Sequence, residues 1–134
     1  MALSFATLST QECRHGLTAS TVGRVAFCTS QGPRIFPVSF GVVDGAVVFR
    51  TSPYTELGTL VVGARVAFEV DDSQPEHEAG WSVVLHGKAT RVEDPDEVTR
   101  LRRILPEPWA SGQRGMYVCV VPTSISGRSV NGRL

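Results

Sequence analysis

The dipeptide Asp44-Gly45 joins two alternating runs and constrains the fold of this chain more than any other local feature. Tight hairpin turns need positive φ, which Gly adopts at no steric cost and Asp tolerates. The first run places Phe36, Val38, Phe40 and Val42 on one face and Ile35, Pro37, Ser39 and Gly41 on the other. The second places Val47, Phe49 and Thr51 opposite Val48 and Arg50. The stretch from Arg34 to Thr55 therefore reads as a hairpin that ends in Arg50-Thr51-Ser52-Pro53. An arginine and two hydroxyls at a strand end suit a phosphate through forked, charge-assisted hydrogen bonds. The same residues also suit a solvated strand end, and on their own they do not choose between the two.

Other elements follow from pattern and turn chemistry. Ser9-Thr10-Gln11-Glu12 has the form of a capping box and predicts a short helix to about Leu17. Gly23 to Thr29 has strand composition, and Ser30-Gln31-Gly32-Pro33 supplies a turn before the hairpin. Pro53 suits the first turn of a helix, and Tyr54, Leu57, Leu60 and Val61 recur at helical spacing until Gly63. Val66, Phe68 and Val70 alternate in a strand expected to end at Asp71-Asp72, with Ser73 to Gly80 as an exposed loop. A long strand is expected over about Trp81 to Val92, with Gly87 at a bulge or close backbone approach. Asp94-Pro95-Asp96-Glu97 opens a helix with acidic residues at its amino end; Arg100, Arg102 and Arg103 lie toward its carboxyl end, before Pro106 and Pro108. A last strand covers about Gly115 to Pro122, and Ser124 to Val130 extends from it.

About six strands with short peripheral helices predict a mainly β fold, an antiparallel barrel that removes edge strands by closing on itself. The 134 residues fit one domain, with residues 1–8 as a lead-in segment, 9–130 as the barrel and 131–134 as a tail. Thirteen basic and thirteen acidic residues cancel, so no bulk field favours nucleic acid or an anionic membrane. No apolar run approaches a membrane span, and the amino terminus lacks the pattern of a secretory signal. Cys13, Cys28 and Cys119 are odd in number and widely spaced; Cys28 and Cys119 lie in apolar runs and are expected in the core. A cytoplasmic setting is the simplest expectation.

Catalytic motifs of the common classes do not occur. His15, His77 and His86 lack convergent metal-ligand spacing, and Asp71, Asp72, Glu76 and Glu78 do not match a calcium loop. No Gly-x-Ser-x-Gly elbow, Gly-x-Gly-x-x-Gly turn or Gly-rich run ending in Lys-Ser or Lys-Thr is present. Gly80-Trp81-Ser82-Val83 sets an indole beside a small hydroxyl, which suits an aromatic ligand as well as a core anchor. Trp109, after Pro108 in a turn, is expected to pack over the barrel or across a dimer interface.

In this order the motifs resemble the pyridoxamine 5'-phosphate oxidase-like flavin-binding split barrels, in particular the small bacterial subgroup that includes nitroimidazole-resistance-type proteins. The carriers are Gly23-Arg24-Val25-Ala26-Phe27, Phe36-Pro37-Val38-Ser39-Phe40, Val48-Phe49-Arg50-Thr51 and Val66-Ala67-Phe68-Glu69-Val70-Asp71. They continue with Gly80-Trp81-Ser82-Val83, Gly87-Lys88-Ala89 and Ile125-Ser126-Gly127-Arg128. The resemblance implies a split β-barrel homodimer with FMN at the subunit interface, passing electrons from a reduced nicotinamide to a small acceptor. It implies that Pro37, Val38, Ser39 and Phe40 line the flavin ring, that Arg50, Thr51 and Ser52 approach the phosphate, and that Trp81 and Ser82 come from the strand beside the ring. No side chain is then needed as a nucleophile, because the flavin carries the hydride chemistry.

The chain departs from the subgroup's pattern after Arg50-Thr51. Glu56 stands where a phosphate-binding Lys is expected and Tyr54 where Gly is common. A carboxylate within several ångströms of a phosphate repels it unless the carboxylate points away or is paired. This departure sets two alternatives beside an FMN enzyme: a non-catalytic split-barrel dimer that has lost FMN, and a relative that binds another large cofactor such as a deazaflavin.

Overall fold

The computed structural model describes residues 4–105 and 115–131. Seven strands, β1 (Phe5–Thr7), β2 (Val22–Thr29), β3 (Gly32–Val43), β4 (Ala46–Thr51), β5 (Arg65–Gln74), β6 (Ala79–Arg91) and β7 (Met116–Val130), alternate with helices α1 (Thr10–Ala19), α2 (Glu56–Leu60) and α3 (Pro95–Ile104). All pairings are antiparallel, in the order β1-β7-β4-β3-β2-β5-β6, and β6 pairs again with β7. Six strands thereby close into a barrel. The first part of β7 lies between β6 and β4, and its last residues lie between β6 and β1. Residues 5–7 of the lead-in segment thus contribute a strand.

Alternation builds the core. Val25, Phe27, Val38, Phe40, Val47, Phe49, Phe68, Val70, Val83 and Leu85 point inward and are buried. Phe40 meets Phe68 edge to face with ring centroids 4.8 Å apart, a favoured aromatic geometry. α1 closes one end of the barrel with Cys13 and Leu17, and the Ser9/Glu12 capping box forms as expected. A smaller cluster lies outside the barrel, where Leu101 and Leu105 cover Val48 and Tyr117. β4 is therefore buried on both faces from Ala46 to Phe49, which accounts for its unbroken apolar run.

Several expectations are corrected. β5 continues to Gln74 and pairs with β6 out to Gln74↔Ala79, so the expected loop is a ribbon closed by a 3-10 turn at Pro75–His77. Both faces of this ribbon meet solvent, so backbone pairing leaves no hydropathy signal there. α2 begins at Glu56, not Pro53, because the Thr55 hydroxyl caps it by accepting the Gly58 amide at 3.1 Å. Only Leu57 and Val61 of its expected apolar face are buried; Tyr54 and Leu60 are exposed. Cys28 is exposed, since alternation turns Phe27 inward, and Cys119 is only half-buried, whereas Cys13 is fully buried. The last two extended segments are one strand, β7. Pro106, Pro108 and Trp109 lie outside the described residues. Among the described residues no helix is long and apolar enough to cross a membrane.

The bulge expected at Gly87 is present as a register shift between His86 and Gly87, where β6 crosses Pro122 of β7. A Cβ on Gly87 would press against the Val121 carbonyl oxygen and the Val120 side chain. Gly87→Val is expected to destabilise the fold by about 1–3 kcal/mol, read as a lower denaturation midpoint. An unchanged midpoint would contradict this account of the crossing.

Candidate functional site

The β3–β4 ladder runs from Val43↔Ala46 to Phe40↔Phe49 and stops there. Its register, continued, would set Pro37 opposite Ser52 with Pro53 next. Pro37 stands on the β4-facing side of β3 and carries no N–H, so β3 cannot donate across the ladder there. From this point β3 pairs with β2, while the end of β4 pairs with β7 through Arg50↔Tyr117 and Thr51↔Met116. An opening separates the Arg34–Ser39 segment from the Arg50–Glu56 segment. Pro37, Val38, Ser39 and Phe40 stand on one side of it, and Arg50, Thr51 and Ser52 on the other.

The two sides offer different groups. The Phe40 N–H donates to the Thr21 carbonyl at 3.0 Å. Antiparallel alternation then directs the carbonyls of Ile35 and Pro37 away from β2, toward the opening. Val38 and Phe40 are anchored in the core, and Pro37 and Ser39 face outward. Across the gap, the Arg50 guanidinium lies over the Tyr117 ring, 5.3 Å from its centroid. Thr51 points to the opposite face and is buried, with its hydroxyl 3.3 Å from that of Thr55. The Ser52 hydroxyl accepts the Tyr54 amide at 3.2 Å, and the Ser52 carbonyl accepts the Thr55 hydroxyl at 2.8 Å. These hydroxyls shape the turn, and Gly58 packs directly on the Ser52 carbonyl, where any side chain would collide.

Glu56 is paired. Arg34 Nε donates to Glu56 Oε1 at 2.8 Å, so the carboxylate is bound from across the opening and not by Arg50. Arg34 is a residue that motif reading does not single out. Its signal lies in the hairpin register, which, carried past Asp44-Gly45, brings Arg34 opposite Thr55 and next to Glu56.

Trp81 and Ser82 sit apart from the opening. β5 and β2 lie between them and β3, about 14 Å at 4.8 Å per strand. Trp81 is half-buried against the core and lines two shallow depressions of about 280 and 380 Å3, one with Asp72 and His77, the other with His15 and Asp71. Ser82 pairs with Asp71 and Arg128. On the outer face beside Pro37, Arg24 reaches Glu69 at 3.3 Å and Asp71 at 2.9 Å. Burial first, and the neighbouring Asp71 second, raise the Glu69 carboxyl to about 6 against the pull of Arg24. Among the described residues no group of three or more His, Cys, Asp or Glu is placed to hold a metal ion.

The pyridoxamine 5'-phosphate oxidase family model matches residues 9–129. The uncharacterized protein Rv0080 of Mycobacterium tuberculosis is 37% identical over 125 residues, 90% of this chain and 82% of that protein. An FAD-binding protein of Mycobacterium smegmatis superposes with a TM-score of 0.78 at 33% identity, over 92% of this chain and 98% of that one. A Corynebacterium glutamicum protein provisionally named a pyridoxamine 5'-phosphate oxidase gives a TM-score of 0.80 at 31% identity, over 95% and 94%.

The outer carboxyl yields a pH prediction. Glu69 moves from an ordinary 4.5 to about 6, so between these values the folded chain holds a proton that the unfolded chain has released. Its contribution to stability therefore falls as pH rises through that window. Glu69→Gln is expected to remove this component, so that stability declines less, or rises more, than in the parent between about pH 4.5 and about pH 6. Parallel thermal melts with the same pH dependence in both proteins would contradict it.

Proposed function

The chain belongs to the pyridoxamine 5'-phosphate oxidase family, and from that premise we propose that it is a flavin-dependent oxidoreductase that binds FMN in the β3–β4 opening and passes electrons from a reduced nicotinamide to a small acceptor. The observation that carries this reading is the halt of the ladder at Phe40↔Phe49, which leaves the backbone of β3 facing a polar turn. The residues fit a phosphate-bearing flavin: carbonyls of Ile35 and Pro37 and the outward Ser39 suit the polar edge of a flat ring. Val38 and Phe40, anchored in the core, hold that strand rigid. Arg50 and Ser52 stand on the opposite side for the phosphate end, with Thr51 bracing the turn. A bound flavin supplies the hydride chemistry, which accounts for a site without a nucleophile or a metal cluster among the described residues. FAD, bound by the Mycobacterium smegmatis relative, shares the ring and first phosphate with FMN, so the same opening suits either.

We assign the working unit to a homodimer. Within one chain Trp81 and Ser82 stand three strands from Pro37, with β2 and β5 between, so a second copy is the source of an indole at the same ring. The outer face offers a surface for it: Ile35 is 65% exposed, and Ala26 and Ala67 beside it are small enough for close approach. A cytoplasmic setting is in keeping with a nicotinamide donor. The rival reading, a dimer that has lost its flavin, was motivated by Glu56, and the Arg34 contact offsets that charge.

Titration of the purified protein with FMN is expected to shift the visible flavin bands and saturate at one flavin per chain, with FAD and a deazaflavin as competitors that rank the cofactors. Protein that is colourless and takes up no flavin overturns the proposal. Sedimentation is expected to show a dimer at micromolar concentration, and a monomer alone would overturn the shared site.

A further inference from the structure

We propose that the cavity behind α2 binds an organic phosphate about the size of a nucleoside monophosphate, at a site separate from the β3–β4 opening and independent of the flavin reading. The cavity follows from unequal strand lengths. β5 begins at Arg65, opposite Lys88, whereas β6 runs on to Arg91. The chain that enters β5 covers the first residue of this overhang: the Gly63 N–H donates to the Ala89 carbonyl at 2.8 Å, and the Ala89 N–H to the Ala64 carbonyl at 2.9 Å. Strand alternation turns the N–H and C=O of Arg91 to the same side, one step past the end of that cover, while Val92 donates to Tyr117 on β7. A backbone donor at a sheet edge thus opens on a cavity of about 580 Å3 between the overhang and α2. That volume lies within the range of small-molecule sites, roughly 300–1,000 Å3.

The lining sorts by chemistry. Lys88 and Arg91 are exposed there, and neither enters an ion pair with another described residue. Pro53 and the half-exposed Val62 form an apolar wall on the α2 side. The Thr59 hydroxyl is committed to the Pro53 and Thr55 carbonyls, at 3.3 and 2.8 Å, so the donors left for an anion are the two cations and the Arg91 amide. An ammonium, a guanidinium and a backbone N–H together suit the three terminal oxygens of a phosphate monoester. Glu93 is the one carboxylate among the described lining residues. A carboxylate only accepts, so its place is against the hydroxyls of a sugar and not against the phosphate. The apolar wall then receives a flat base. Inorganic phosphate would use the cationic end alone and leave Glu93 and the wall without a partner.

AMP is the probe, and adenosine is the same body without the phosphate. Backbone amide resonances of the isotope-labelled intact protein are followed as each is added. AMP is expected to give saturable shifts on residues 59–63 and 88–93, with the Arg91 amide among the largest, and adenosine to bind about 10-fold more weakly or less. Lys88→Ala and Arg91→Ala are each expected to weaken AMP about 10-fold and to leave adenosine unchanged. Both side chains are exposed, and circular dichroism confirms that each variant is folded. Absence of saturable shifts at millimolar AMP overturns the inference, as does an AMP midpoint that neither variant moves. Shifts confined to residues 34–40 and 50–56 would place AMP in the β3–β4 opening, and the inference fails while the flavin reading stands.

Discussion

The rest of the structure depends on where two paired strands are forced apart. A barrel gains stability from ladders that leave no backbone group without a partner, and β3 and β4 keep theirs from the turn at Asp44-Gly45 to Phe40↔Phe49. Pro37 then withholds a donor on the side of β3 that faces β4. The strands part, β3 follows β2, and β4 follows β7. Closure is recovered elsewhere: β7 is long enough to pair with β4 at one end, β1 at the other and β6 throughout. The bulge at Gly87 lets that long strand turn across β6.

Charge is arranged around this opening in bound pairs. Arg34 and Glu56 join its two sides, while Arg24 with Glu69 and Asp71 occupies the outer face next to Pro37. Arg34 and Arg24 are each held by carboxylates, so these two present oriented donors with their charge offset. Such a surface discriminates by geometry more than by attraction, which suits a cofactor with a flat ring and one anionic end.

Much of this was legible in the residues. The hairpin, the Ser9/Glu12 cap, the Gly87 bulge and the segments on either side of the opening follow from alternation and turn chemistry, and the ordered motifs identify the family. Three things were not legible, each for a physical reason. The β5–β6 ribbon is held by backbone bonds between polar residues, which carry no periodicity. α2 starts at Glu56 because the Thr55 hydroxyl cap outweighs a proline at the expected first turn. Arg34 joins Glu56 across a gap, a contact between residues 22 apart in sequence that no local motif marks and that only the hairpin register, extended past the ladder, brings near.

The central claim is that the opening between β3 and β4 is where the chain meets its flavin. Backbone amide resonances of isotope-labelled protein, followed as FMN is added, test it most directly. The account predicts that the largest shifts fall on residues 34–40 and 50–58, with a second set at Trp81 and Ser82. Saturable binding that leaves residues 34–40 and 50–58 unshifted would contradict it.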